Sequence, residues 1–159
     1  TDHRLAVLAG AKVYHAPTGP AATAALDAAW TALTHGPDSQ LTLTVQGREV
    51  ALPRHRNRVA RASFDELCGR PLGPADYLAL AEALDILILE DIPRLSRARA
   101  NEAKRFVTLI DALYEARVRL ICSAAAEPDA LYVEGEGAFE FERTASRLHE
   151  MGGIGWGAG

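Results

Sequence analysis

Apolar residues recur along this chain with two periods, and the change from one to the other marks its elements. From Ala21 to Leu33, the residues Ala22, Leu26, Trp30 and Leu33 fall on one helical face. Gly36 and Pro37 end that helix. LTLTV (41–45) and REVALP (48–53) alternate on either side of Gln46-Gly47, which predicts a β-hairpin with a two-residue turn. VARASF (59–64) reads as a third strand beside it, reached through a basic linker, RHRNR (54–58). Ser63 is placed to cap a short helix carrying Phe64, Leu67 and Cys68. Gly69, Pro71, Gly73 and Pro74 make a loop, and Pro74 opens the next helix, where its missing N–H is not needed. The inward stripe of that helix reads as Tyr77, Leu78, Ala81 and Leu84. Ahead of all this, residues 3 to 14 alternate weakly around Leu5, Val7 and Leu8 and reach Val13 and Tyr14, before Pro17, Gly19 and Pro20 break the pattern.

The second half carries the stronger signals. ILILE (86–90) is a continuous apolar run, as expected of a central strand covered on both faces. From Asn101 to Ala116 the residues Ala103, Phe106, Val107, Ile110, Leu113 and Tyr114 keep the helical period without a gap. VRLICSA (118–124) is the next buried strand. Strand, helix and strand in that order predict a parallel pair joined by a crossover. A turn near Pro128 to Leu131 and an irregular GEGAFEF (135–141) lead to a last helix from Glu142 to Met151, with Ala145 and Leu148 inward. The fold class is therefore α/β: a strand–helix–strand unit with parallel strands plus a small antiparallel hairpin sheet, with helices on the faces. Residues 1–151 form one body: an entry region at 2–36, the hairpin sheet at 37–64 and the α/β part at 65–151. The tail, 152–159, has no periodic pattern.

Composition narrows the function. The 159 residues are 48% hydrophobic and 24% charged, enough for a packed core. The formal charge of −4 does not give the whole-surface basic footprint of a nucleic-acid binder. Basic charge is almost all arginine, with Lys12 and Lys104 the only lysines, and arginine suits phosphate and carboxylate recognition. Cys68 and Cys122 stand far apart with no Cys/His cluster around them, so neither a zinc site nor a disulfide framework is expected. No apolar run approaches the length of a membrane span.

Candidate chemistry sits at three places. Glu90 and Asp91 follow four apolar strand residues, where nucleotide hydrolases place magnesium-binding and water-activating acids. Ser123 ends the neighbouring strand, where a polar sensor would stand. Each also has a plain reading as a strand-end or turn cap. The sequence contains no GxxxxGK[ST] and no Gly-rich turn between a strand and a helix to cradle phosphates. Arg143 and Arg147 share one helical face, so they can hold a phosphate oxygen together or pair with Glu140, Glu142 or Glu150. Arg54, Arg56, Arg58 and Arg61 around His55 admit a nucleic acid or an acidic partner, but no aromatic residue interleaves to stack on bases. A solvated hairpin exit is the competing account. No Ser/His/Asp or Cys/His spacing points to a nucleophilic hydrolase.

Several blocks together carry a resemblance. FDELCGRPLGPADYLALAEAL (64–84), LILEDIPRL (87–95), NEAKRFVTLIDALYE (101–115) and FERTASRLHEM (141–151) resemble the C-terminal region of the ZapE-like, or AFG-type, ATPases. The opening HRL…VYHAPTGP (3–20) and the hairpin fit the same region, so the resemblance covers roughly residues 2 to 151. It implies ATP and magnesium as cofactors, bound mainly by an N-terminal half that carries the phosphate loop, the magnesium acids and the first sensor. Glu90 and Asp91 are then not the family's magnesium motif. Arg143 and Arg147 become candidates for sensing the γ-phosphate, in their own subunit or a neighbour's. The implied partners are the N-terminal ATPase half, other subunits and division-ring proteins. The implied setting is the cytoplasm, or mitochondria in a eukaryote. On this reading the chain alone does not hydrolyse ATP. A stand-alone interaction module and a small nucleic-acid-binding domain remain as alternatives, and residues 152–159 lie outside the resemblance.

Overall fold

The computed structural model describes residues 11–135, 137–153 and 155–157. The alternation expected around Leu5, Val7 and Leu8 lies outside the described residues. Six strands form one sheet in the order β1-β6-β5-β4-β3-β2. They are β1 (Tyr14–His15), β2 (Ser39–Val45), β3 (Arg48–Arg56), β4 (Val59–Ser63), β5 (Ile86–Ile92) and β6 (Arg119–Ala124). The helices are α1 (Pro20–Thr34), α2 (Phe64–Cys68), α3 (Pro74–Ala83), α4 (Ala100–Glu115) and α5 (Phe141–Met151), with 3₁₀ turns at Arg97–Arg99 and Pro128–Ala130. β1, β6, β5 and β4 run parallel, while β3 pairs antiparallel with both β4 and β2. The fold is α/β as the sequence indicates, and the hairpin sheet and the parallel unit are continuous. β4 joins them, antiparallel to β3 on one side and parallel to β5 on the other.

Local chemistry explains the joints. At the β2–β3 turn, Gln46 and Gly47 both have positive φ (50° and 78°), the backbone that matches strand twist in a two-residue hairpin. RHRNR is not a linker. Its first three residues extend β3 to Arg56, and Asn57-Arg58 makes a second two-residue turn, again with both φ positive (51° and 64°). Asn57 tolerates that backbone readily, and arginine does not. Arg58 is held there by its own side chain, which donates to Asp85 Oδ1 at 3.0 Å and to the Glu82 carbonyl at 2.9 Å. Ser63 and Glu66 form a reciprocal capping box at α2, worth about 1 kcal/mol.

The two sheet faces are covered differently. Leu26, Trp30 and Leu33 of α1 pack on Val59, Ile86, Ile88 and Ile121. Ala60, Ala62, Leu87, Leu89, Leu120 and Cys122 face the larger core, built with α2 to α5. β5 is thus buried on both sides, which is why it reads as an unbroken apolar run. Phe106 of α4 touches Phe64 and Phe141 at ring distances of 5.9 and 6.1 Å, and Phe141 touches Tyr132 at 5.8 Å. In α3 the inward stripe is Asp76, Tyr77, Leu80 and Ala81, with Leu84 following. Leu78 is instead 53% exposed. The buried carboxylate of Asp76 sets this phase: it accepts Gly73 N–H at 2.7 Å and both hydrogen bonds from Arg48 Nη2 on β3, at 2.7 and 2.9 Å. The tail turns back after α5 and stacks Trp156 on Tyr114, with ring centroids 5.8 Å apart.

Two measurements test this account. Burial acts to raise the Asp76 carboxyl, but Arg48 and the Gly73 amide outweigh it and hold the group below the usual carboxylate range. A lowered native value means stability that is complete above the unfolded value, about pH 4, and lost as pH falls through the native one. Denaturant titrations below about pH 4 should therefore show Asp76→Asn flattening the acid-side slope relative to the parent chain. Arg61, only 4% exposed, bridges Glu90 and Asp27. Arg61→Ala should cost about 2–4 kcal/mol in urea unfolding by leaving Glu90 without its partner, and the pair Arg61→Met with Glu90→Leu should recover most of that loss.

Candidate functional site

Open α/β sheets admit ligands at the carboxyl ends of their parallel strands, where neighbouring strands send their helices to opposite faces. Here that position lies between β1, followed by α1 on one face, and β6, followed by α5 on the other. Beside β1 lies an open hollow of about 270 Å³, lined only by residues between 12 and 22, among them Lys12, His15, Thr18, Gly19 and Ala22, and not by β6. Burial and the Lys12 charge hold His15 below the usual imidazole range. Sequence reasoning missed this feature because β1 is only two residues long.

Glu90, Asp91 and Ser123 do come together along this edge, each with a defined local task. Arg61 Nε donates to Glu90 Oε1 at 2.6 Å, and its Nη2 lies 2.7 Å from Asp27 Oδ1 on α1. Burial opposes the guanidinium charge, but the two carboxylates outweigh it and raise the affinity for the proton further. Asp91 has φ 60°, at the point where the β5–β6 register shifts between Leu89 and Ile92. Its N–H donates to Ser123 Oγ at 2.8 Å. Ser123 thus closes a bulge, and Glu90 neutralises a buried arginine. This set does not fit a magnesium ion, because the one carboxylate aimed inward is already claimed. Burial pushes both thiols up, Cys68 to about 12, so neither supplies a thiolate nucleophile.

Arg143 and Arg147 both lie on the side of α5 that faces α4, and they differ sharply in commitment. Arg147 is 14% exposed; it donates to Asp111, lies 3.5 Å from Glu115 and places its guanidinium 4.4 Å from the Tyr114 ring centroid. The Tyr114 hydroxyl in turn donates to Glu150 at 2.7 Å. Arg143 is 67% exposed, and its recorded contact is a long one, 3.9 Å to Asp111. One arginine therefore fastens α5 to α4, and the other projects from the same helix into solvent.

The arginines at the hairpin exit are engaged within the chain. Arg54 pairs with Asp38 at 2.8 Å and lies over the Trp30 ring. Arg56 donates to the Thr34 and Pro37 carbonyls. Arg58 and Arg61 have the partners given above. Among the described residues no group of three metal-capable side chains occurs, and no helix is long and apolar enough to cross a membrane.

Fold and site define a doubly wound α/β domain with an outward arginine on its last helix. A model of the AFG1-like ATPase family matches residues 1–154, and the chain belongs to that family. It is 34% identical over 151 residues to the cell division protein ZapE of Escherichia coli K12, covering 94% of this chain and 40% of that protein. It is 42% identical over 110 residues to lactation elevated protein 1 homolog B of Danio rerio, covering 69% of this chain and 22% of that protein. An uncharacterized Schizosaccharomyces pombe protein is 38% identical over 96 residues, covering 60% of this chain and 21% of that protein. The chain thus spans less than half the length of these relatives. No solved structure matches it.

The two arginines should separate in thermal and chemical unfolding. Arg147→Ala should lose about 1–2 kcal/mol through its ion pairs and the Tyr114 contact. Arg143→Ala should stay within about 0.5 kcal/mol of the parent. Equal losses in the two variants would contradict the division described.

Proposed function

We propose that this chain is the C-terminal part of an AFG1-like ATPase, docking on a part that holds the nucleotide and offering Arg143 to the γ-phosphate. The observation that carries this reading is the contrast on α5: Arg147 is spent within the chain, while Arg143 stands 67% exposed. Three further facts support it. The sequence has no GxxxxGK[ST]. Glu90 is held by Arg61. The relatives are more than twice as long. ATP and magnesium then bind mainly outside these residues, and this chain supplies shape and charge for a step carried out elsewhere. One relative is named for cell division, and we extend that setting to this chain, with division-ring proteins as partners and the cytoplasm, or mitochondria in a eukaryote, as its location.

The test compares two preparations. The isolated chain should show no magnesium-dependent ATP turnover. Joined to a phosphate-loop part of its family, it should support turnover, and Arg143→Ala should lower kcat on the order of 10³-fold with nucleotide affinity little changed, as expected for a group acting on transition-state charge. Turnover by the isolated chain that disappears in Arg143→Ala would overturn the reading. So would full turnover by the joined Arg143→Ala protein.

A further inference from the structure

β2 ends the sheet, and among the described residues no strand lies on its far side. Natural sheets blunt such an edge with charge, proline or brevity, because a free row of N–H and C=O groups templates pairing. β2 has none of these protections. It is seven residues long, and SQLTLTV contains no charged residue and no proline. The opposite edge, β1, is two residues long. The bulge near the start of the β2–β3 ladder adds its extra residue to β3, where Ser39 and Leu41 face His55 and Leu52. β2 itself therefore stays regular.

The hairpin fixes which groups point outward. In a two-residue hairpin the closing pair, here Val45 and Arg48, is hydrogen-bonded, and bonded and non-bonded pairs alternate from there. Leu43 and Leu41 then bond inward to β3, and Thr44, Thr42 and Gln40 turn their N–H and C=O groups to the free side. All three are exposed. A second β2 laid antiparallel about a two-fold axis at Thr42 meets these groups in register. Thr42 faces its own copy, Gln40 faces Thr44, and each is a hydrogen-bonded pair. Between them Leu41 faces Leu43 of the copy on the other side of the sheet. Both are half-buried and packed against the larger core. Polar side chains thus meet polar ones on one side, leucines meet leucines on the other, and no like charges face each other. α3, which packs beneath β2, also carries Leu78, 53% exposed.

We propose that the β2 edge is a self-association surface, and that two copies of this chain pair through it into one continuous sheet with an isologous interface centred on Thr42. The partner is a second copy because the strand meets itself in register, with polar side chains opposite polar ones, leucines opposite leucines and no charge to repel. This inference does not rest on the nucleotide reading and can fail without it.

Sedimentation of the chain across a concentration series tests it. A reversible monomer–dimer equilibrium is expected, with a dissociation constant on the order of 10 µM. Hydrogen exchange should slow at the amides of Gln40, Thr42 and Thr44 as concentration rises. Thr42→Lys sets two ammonium groups against each other on the axis. It should weaken the dimer about tenfold or more, with circular dichroism and melting temperature unchanged because Thr42 is exposed. Thr42→Glu should do the same alone, and an equimolar mixture of the two variants should recover pairing. A chain that stays monomeric throughout the series, or a dimer indifferent to Thr42→Lys, overturns the proposal.

Discussion

The ion bridge made by Arg61 is the constraint on which the rest of this domain depends. β4 is almost wholly buried and must join an antiparallel hairpin to a parallel sheet. Its residues alternate between the two cores, with Val59 on the α1 side and Ala60 and Ala62 on the other. Arg61 falls on the α1 side, where an unpaired guanidinium would be prohibitive. Asp27 and Glu90 meet it from α1 and β5. The bridge therefore ties α1 to the sheet and engages Glu90 Oε1 within the chain. Structure and chemistry at the carboxyl edge are decided by the same contact.

A wider division of labour follows among the arginines. A chain with two lysines must make most of its charge-assisted contacts with guanidinium groups, whose fork satisfies carboxylates and carbonyls at fixed angles. Arg48 fixes α3 to the hairpin, Arg58 fixes the second turn, Arg54 and Arg56 fix the segment after α1, and Arg147 fixes α5. Arg143 departs from this pattern by its exposure, and that departure is the ground on which a functional role is proposed for it.

Much of this was legible in the chain. The hairpin at Gln46-Gly47 and the long helix α4 follow from turn chemistry and period alone, because local forces and packing agree there. The second turn was not legible, since arginine seldom adopts a left-handed backbone and the contacts that hold Arg58 come from residues 24 and 27 positions away. Leu78 was misassigned to the core because a buried aspartate shifted the stripe, and hydropathy alone does not place Asp76 inside. The candidate arginines were visible as a pair four apart. Their unequal roles were not, because the carboxylate that distinguishes them, Asp111, lies 36 positions from Arg147. The engagement of Glu90 was hidden in the same way, by partners on β4 and α1.

The placement of elements in the sheet has a mechanical consequence. α5 packs near β1 and β6, where Leu148 and Met151 meet Val13, Tyr14, Leu120 and Cys122. β2 is at the opposite edge. Four strand spacings separate β6 from β2, or about 19 Å. The C-terminal part of α5 and the free edge of β2 therefore lie toward opposite ends of one sheet. The pairing proposed at β2 leaves that part of α5 uncovered. The pairing proposed at β2 and the docking proposed for this domain therefore do not compete for the β1–β6 end of the sheet.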